Sequence, residues 1–209
     1  MAITTYSALK SAVADWLNRT DLTAVIPSFI SLAEAQFQRD ERLRTRDSIV
    51  RATATLDEQF EALPADYIEM VNFQVNNQEP FGRMQFLTLN QMDEYKRSFS
   101  SPGVPKYYTI VGNQIEMLPI PASPGYQGEM TYYAKIPALS DTNTTNWLLT
   151  KHPDVYLYGT LVQTAPYLKD DERVGTWANL YERALGDIAV SAERAMFAGS
   201  IIKIRTRAF

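Results

Sequence analysis

The side chains that could carry chemistry are few. His152 is the only histidine, and it stands before Pro153 at a predicted helix start. There an imidazole could act as a general base. No serine and acid surround it at a spacing recognisable as a nucleophilic triad, so it reads as a surface or capping group. Asp170, Asp171 and Glu172 are consecutive and would fan around a helix start without converging on an ion. Asp170 suits the N-cap, and Asp171 and Glu172 the first turn. Cysteine is absent, which removes disulfides, zinc-thiolate sites and thiol nucleophiles together. None of the nine glycines builds a phosphate-cradling turn that ends in Lys and Ser or Thr. A pair of carboxylates meeting across the fold, as in a glycosidase, stays open as an alternative. The reading from these residues is a protein with no catalytic residue, no metal and no cofactor.

The composition agrees with a structural part. The chain has 209 residues, 45% apolar and 21% charged, which is ordinary for a globular protein. A net charge of −4 and a pI near 5.1 argue against a protein that wraps nucleic acid by neutralising phosphates. Lys10 interrupts the place of an apolar signal core, so a cytoplasmic product is expected. The least charged run, residues 155–168, is shorter than a bilayer crossing and is broken by Gly159, Thr160, Gln163 and Pro166.

Apolar spacing sets the elements. Tyr6, Leu9, Val13 and Trp16 recur at helical steps after Thr4 and Thr5, either of which could cap the first turn. Ile26, Phe29, Ile30, Ala33 and Phe37 mark a second helix to about Leu43. Arg39, Arg42, Arg44 and Arg46 follow at its end, where the macrodipole favours cations and where an acidic partner could also bind. Between Ser48 and Leu56 the period becomes two: Val50, Ala52, Ala54 and Leu56 alternate with Ile49, Arg51, Thr53 and Thr55, a strand with one wet face. Strands are also predicted at residues 67–75, 84–87, 106–111, 114–118 and 129–136, with a helical insert at 90–97. Gly112-Asn113 closes a tight hairpin. The Pro and Gly residues at 119, 121, 124, 125 and 128 keep their loop out of any ladder.

Helices return after Asp141. Val155, Tyr158, Val162 and Ala165 line one side of the next helix, while Tyr156, Leu157 and Leu161 line another. Such a helix needs cover on nearly every side, and a subunit interface at Tyr156, Leu157 and Leu161 is the expectation. Glutamate at Leu157 or Leu161 would then block assembly and leave the monomer folded. Gly159 within it implies close approach of another element. Val174, Trp177, Tyr181, Leu185, Ile188, Ala192 and Ala195 form the stripe of a long last helix. The tyrosine pairs Tyr107-Tyr108 and Tyr132-Tyr133, with Tyr156 and Tyr158, suit a core or an interface equally, and Trp16, Trp147 and Trp177 read as core.

The resulting class is α+β. N- and C-terminal helices pack as a bundle, with a central antiparallel β-rich domain and an extended C-terminal tail. The boundaries are an N-terminal helical hairpin at 1–45, the β-rich domain at 46–140, a C-terminal helical hairpin at 141–199 that packs with 1–45, and the tail at 200–209. In that tail Ile202, Ile204, Thr206 and Ala208 alternate with Lys203, Arg205 and Arg207 before Phe209. It reads either as a frayed terminus or as a basic strand that joins another chain's sheet edge.

Four ordered blocks resemble the head-to-tail adaptor, or connector, proteins of tailed bacteriophages, similar to podovirus tail-tubular and head-completion adaptors. They are ADWLNRTDLTAVIPSFISLAEAQFQRDERLR (14–44), LPADYIEM (63–70), YYTIVGNQIEMLPIP (107–121), and the stretch from TYYAKIPALSD to KDDER (131–173). The resemblance implies a ring, usually of twelve copies, that docks on the portal protein and extends the channel for double-stranded DNA without reading its sequence. It also implies a platform for tail nozzle or fibre proteins, a place at the head-tail interface of the virion, no membrane partner and no catalytic residues. On this reading Ile202, Lys203, Ile204, Arg205, Arg207 and Phe209 meet the portal, and the hairpin at Tyr108, Gly112 and Asn113 faces the tail. Another virion component, such as a tail terminator or fibre-attachment protein, is the alternative.

Overall fold

Thr5 has extended backbone and accepts a hydrogen bond from the Ala8 amide, which starts the first helix. The computed structural model describes residues 2–76, 82–168 and 172–197. In chain order the elements are α1 (Tyr6–Leu17), α2 (Ile26–Arg39), β1 (Ile49–Leu56), β2 (Phe60–Ala62), β3 (Tyr67–Val75), β4 (Gly82–Arg83), β5 (Gln85–Phe86) and α3 (Leu89–Lys96). They continue with β6 (Tyr107–Val111), β7 (Gln114–Leu118), β8 (Tyr126–Ala134), α4 (Trp147–Lys151), α5 (Pro153–Gln163), α6 (Ala165–Leu168) and α7 (Val174–Phe197). The fold is α+β, divided into two units: Met1–Ser48 with Ile136–Phe209, and Ile49–Lys135.

In the helical unit, Asn18 ends α1 in the left-handed conformation (φ 54°), and its amide donates to the Ala14 and Asp15 carbonyls. Proline opens both α2 and α5, at helix positions that need no amide donor. α5 contacts α1, α2, α4 and α7, and six of its eleven residues are buried. Each large apolar side chain enclosed this way contributes roughly 1.5–3 kcal/mol. A Cβ at Gly159 would lie 2.8 Å from Phe37 Cε1 and 3.2 Å from Tyr181 Cε2, so the missing side chain lets α2 and α7 close on α5. Trp177 is buried, but Trp16 is 44% exposed, with one edge against the Tyr158 ring at 5.7 Å. Its place at the penultimate position of α1 leaves the other edge in solvent. Asp170 and Asp171 lie outside the described residues. α7 begins at Val174, so Glu172 precedes its first turn instead of filling it.

The β unit contains two four-stranded sheets, ordered β1-β8-β3-β4 and β2-β7-β6-β5. All pairings are antiparallel except β5 with β6. Leu56, Phe73, Val75 and Met130 from the first sheet share a core with Tyr108, Ile115 and Met117 from the second. The hairpin turns at Gly112 (φ 61°), as the Gly-Asn pair requires. β8 starts earlier than expected. Gly128 joins the ladder opposite Ala54 and Val75, because the Leu56 side chain occupies the space where a Cβ would sit, 2.8 Å away. β1 has the predicted span, yet only Leu56 is buried and Val50 is 38% exposed. An edge position uncovers the rest.

Gly159→Ala should destabilise the fold by about 1–3 kcal/mol through overpacking against Phe37 and Tyr181, measured by urea denaturation. An unchanged midpoint would show that the two rings can move aside.

Candidate functional site

Catalytic geometry does not develop around His152. Its amide donates to the Leu148 carbonyl at 2.8 Å, closing α4, and its carbonyl accepts from Val155. Burial lowers the imidazole pKa, against the opposing pull of Asp154 and Asp47. Among the described residues no group of three His, Cys, Asp or Glu side chains could hold a metal. No helix there is long and apolar enough to cross a membrane.

Tyr156, Leu157 and Leu161, the residues expected at a subunit interface, lie in the chain's own core. They are 0%, 5% and 0% exposed within a single chain, so none has surface to offer a neighbouring subunit. The cover that α5 demands comes from its own chain. Tyr156 stacks edge-on against Phe37 at 5.1 Å, and its hydroxyl donates to Glu34 Oε1 at 3.1 Å while accepting from Asn146 Nδ2 at 2.6 Å. Glu34 Oε1 also accepts from the Leu139 amide at 2.8 Å, and Asn146 Nδ2 donates to the Pro137 carbonyl at 2.7 Å. This network pins the 137–146 segment onto α2 and α5. Burial raises the Glu34 pKa above the ordinary carboxylate range, against the bonds from Leu139 and Tyr156 that lower it. Burial, followed by the Glu34 charge, pushes the Tyr156 phenol far up and keeps it a donor.

The hairpin residues separate. Tyr108 is 7% exposed, edge-on to Phe73 at 5.4 Å and to Phe86 at 5.5 Å, and so packs in the β core. Gly112 and Asn113 are exposed at the turn. Ile202, Lys203, Ile204, Arg205, Arg207 and Phe209 lie outside the described residues. Of the arginines after α2, Arg42 is engaged within the chain, donating to Asp40 Oδ2 and to Glu182 Oε2, each at 2.7 Å.

Exposed large apolar side chains stand elsewhere. Leu32 on α2 and Val190 on α7 are 53% and 49% exposed, and Phe60 and Phe86 in the β unit 45% and 54%. Beside β1 a cavity of about 190 Å³ lies between the sheets, lined by Ala52, Ala54, Ala62, Leu63, Phe73 and Met130 among others. Among the described residues β1 pairs with β8 alone, in unbroken register from Ile49 opposite Tyr133 to Leu56 opposite Tyr126, and its other edge is unpaired. The small residues Ala52 and Ala54 at inward positions were the available sequence signal for this groove, since a packed strand would carry larger ones there.

The model of a family described as SU10 adaptor protein matches residues 4–203. No curated protein matches the chain.

Leu161→Glu should unfold the chain, by roughly 3 kcal/mol or more, and not merely dissociate an assembly. Circular dichroism of the isolated variant reads this, and a native spectrum would return Leu161 to the interface. With its folded pKa above the unfolded one, Glu34 holds a proton that the unfolded chain has released. It therefore costs stability as pH rises from the unfolded pKa to the folded one. Glu34→Gln should flatten that fall in urea midpoints taken across the carboxylate range, and a parallel pH profile would contradict the assignment.

Proposed function

The chain belongs to the SU10 adaptor protein family, and from that premise we propose that it is a structural virion protein forming a ring, of about twelve copies, between the portal and the tail of a bacteriophage. The single observation that carries the reading is a family match running through both units, from residue 4 to residue 203.

The chemistry of the chain suits a conduit. A net charge of −4 disfavours adhesion to a polyanion, so double-stranded DNA would pass without being gripped. Contacts between copies are assigned to exposed apolar side chains such as Leu32 and Val190 on the helices, where burial would add affinity. A heterologous contact of this kind closes into a ring when its rotation divides a full turn. The exposed turn at Gly112 and Asn113 is a contact for nozzle or fibre proteins.

Mixed with the portal ring of the same genome, the protein should appear by electron microscopy as a second ring stacked on the first. Two unassociated species would contradict the assignment. Leu32→Glu should weaken ring formation while leaving the far-ultraviolet spectrum unchanged, because Leu32 is 53% exposed; undiminished ring formation would remove α2 from the contact between copies.

A further inference from the structure

Within the β unit, β1 and β2 end the two sheets on one side, and β4 and β5 end them on the opposite side. The first side carries acid. Between β1 and β2 the turn holds Asp57 and Glu58, whose amides donate to the Glu61 carboxylate, and among the described residues no cation pairs with any of these three. Phe60 stands among them and is exposed.

On the opposite side a cavity of about 260 Å³ opens beside β4 and β5. Phe73, Met84, Phe86 and Tyr108 form its apolar wall, and Asn72, Arg83 and Gln85 supply its polar groups. Asn72 donates to Gln74 at 3.1 Å, whereas Arg83 is exposed and has no ion pair among the described residues. The Tyr108 side chain is buried, yet its hydroxyl has no hydrogen-bond partner among the described residues. Burial raises that phenol's pKa while the Arg83 charge lowers it, which sets the two groups near each other. A buried hydroxyl left unpaired costs free energy that an arriving acceptor would recover.

We propose that this cavity receives the 57–60 turn of a second copy of the chain, with Phe60 inside it and the neighbouring carboxylates accepting from Arg83 and the Tyr108 hydroxyl. A cavity of about 150 Å³ already admits a benzene-sized ring, so a phenyl side chain fits. Acid meets base in this pairing, whereas turn against turn would oppose like charges, and that difference sets its polarity. Turn and cavity stand on opposite edges of a four-stranded sheet, roughly 14 Å apart at about 4.8 Å per strand. One two-fold contact therefore cannot satisfy both, and each copy gives its turn to one neighbour and receives that of another. The contact adds a β-unit surface to the helical one at Leu32 and Val190; only its closure into a ring rests on the adaptor reading.

The absence of cysteine makes the test direct. Glu58→Cys and Gln85→Cys, both at exposed positions, are placed in separate full-length chains with tags of different length, mixed with and without the portal ring, and mildly oxidised. A mixed disulfide dimer should form, well above the background seen when Ser101→Cys, on an exposed loop, replaces Gln85→Cys. Arg83→Glu in the receiving chain should cut the yield about fivefold, and Asp57→Arg in the donating chain should restore it. A mixed disulfide absent under both conditions, or one that Arg83→Glu leaves unchanged, would overturn the proposal. If a second ring still stacks on the portal by electron microscopy when no disulfide forms, only this contact falls; if no ring appears either, the adaptor reading falls with it.

Discussion

The helical unit depends on enclosing α5, a helix whose only charged residue is Asp154. Its apolar positions are not confined to one stripe, so exposure on any side would cost burial free energy. The chain meets this demand internally. Gly159 permits Phe37 and Tyr181 to reach the helix backbone, and the Tyr156, Glu34 and Asn146 network satisfies the polar groups that enclosure traps. A buried carboxylate and phenol are tolerable because each has partners in place.

The β unit follows another constraint. Two sheets share a core, but among the described residues β1 and β2 each end their sheet with an unpaired edge, and small side chains between them leave a cavity on that side. Closed packing at the Tyr108, Phe73 and Phe86 cluster contrasts with this open side.

Much of the architecture was legible from period alone. The spacing of Tyr6, Leu9 and Val13 gave α1 with Thr4 or Thr5 as its cap, the strand expected at 67–75 matches β3, and Gly112-Asn113 gave the β6-β7 turn. Gly159 correctly announced close approach. What failed was the identity of the covering surface. Periodicity shows that Tyr156, Leu157 and Leu161 need a partner, but long-range packing decides whether the partner is α2 and α7 or a second subunit. Gly128 failed for a related reason: its place in β8 is set by Leu56, far away in sequence. Trp16 looked like core because a large aromatic on an apolar stripe usually is, yet it sits where α1 is ending. The groove beside β1 was signalled only by the small size of Ala52 and Ala54.

The most apolar helix is spent within its own chain, and exposed apolar side chains stand instead on α2 and α7. The central claim is that α5 is complete within one chain before any assembly. Hydrogen exchange on the isolated monomer tests it most directly. Amides of α5 should exchange only through global unfolding, as slowly before portal is added as after. Fast exchange in the monomer, with protection gained on assembly, would contradict the account and make α5 a subunit contact.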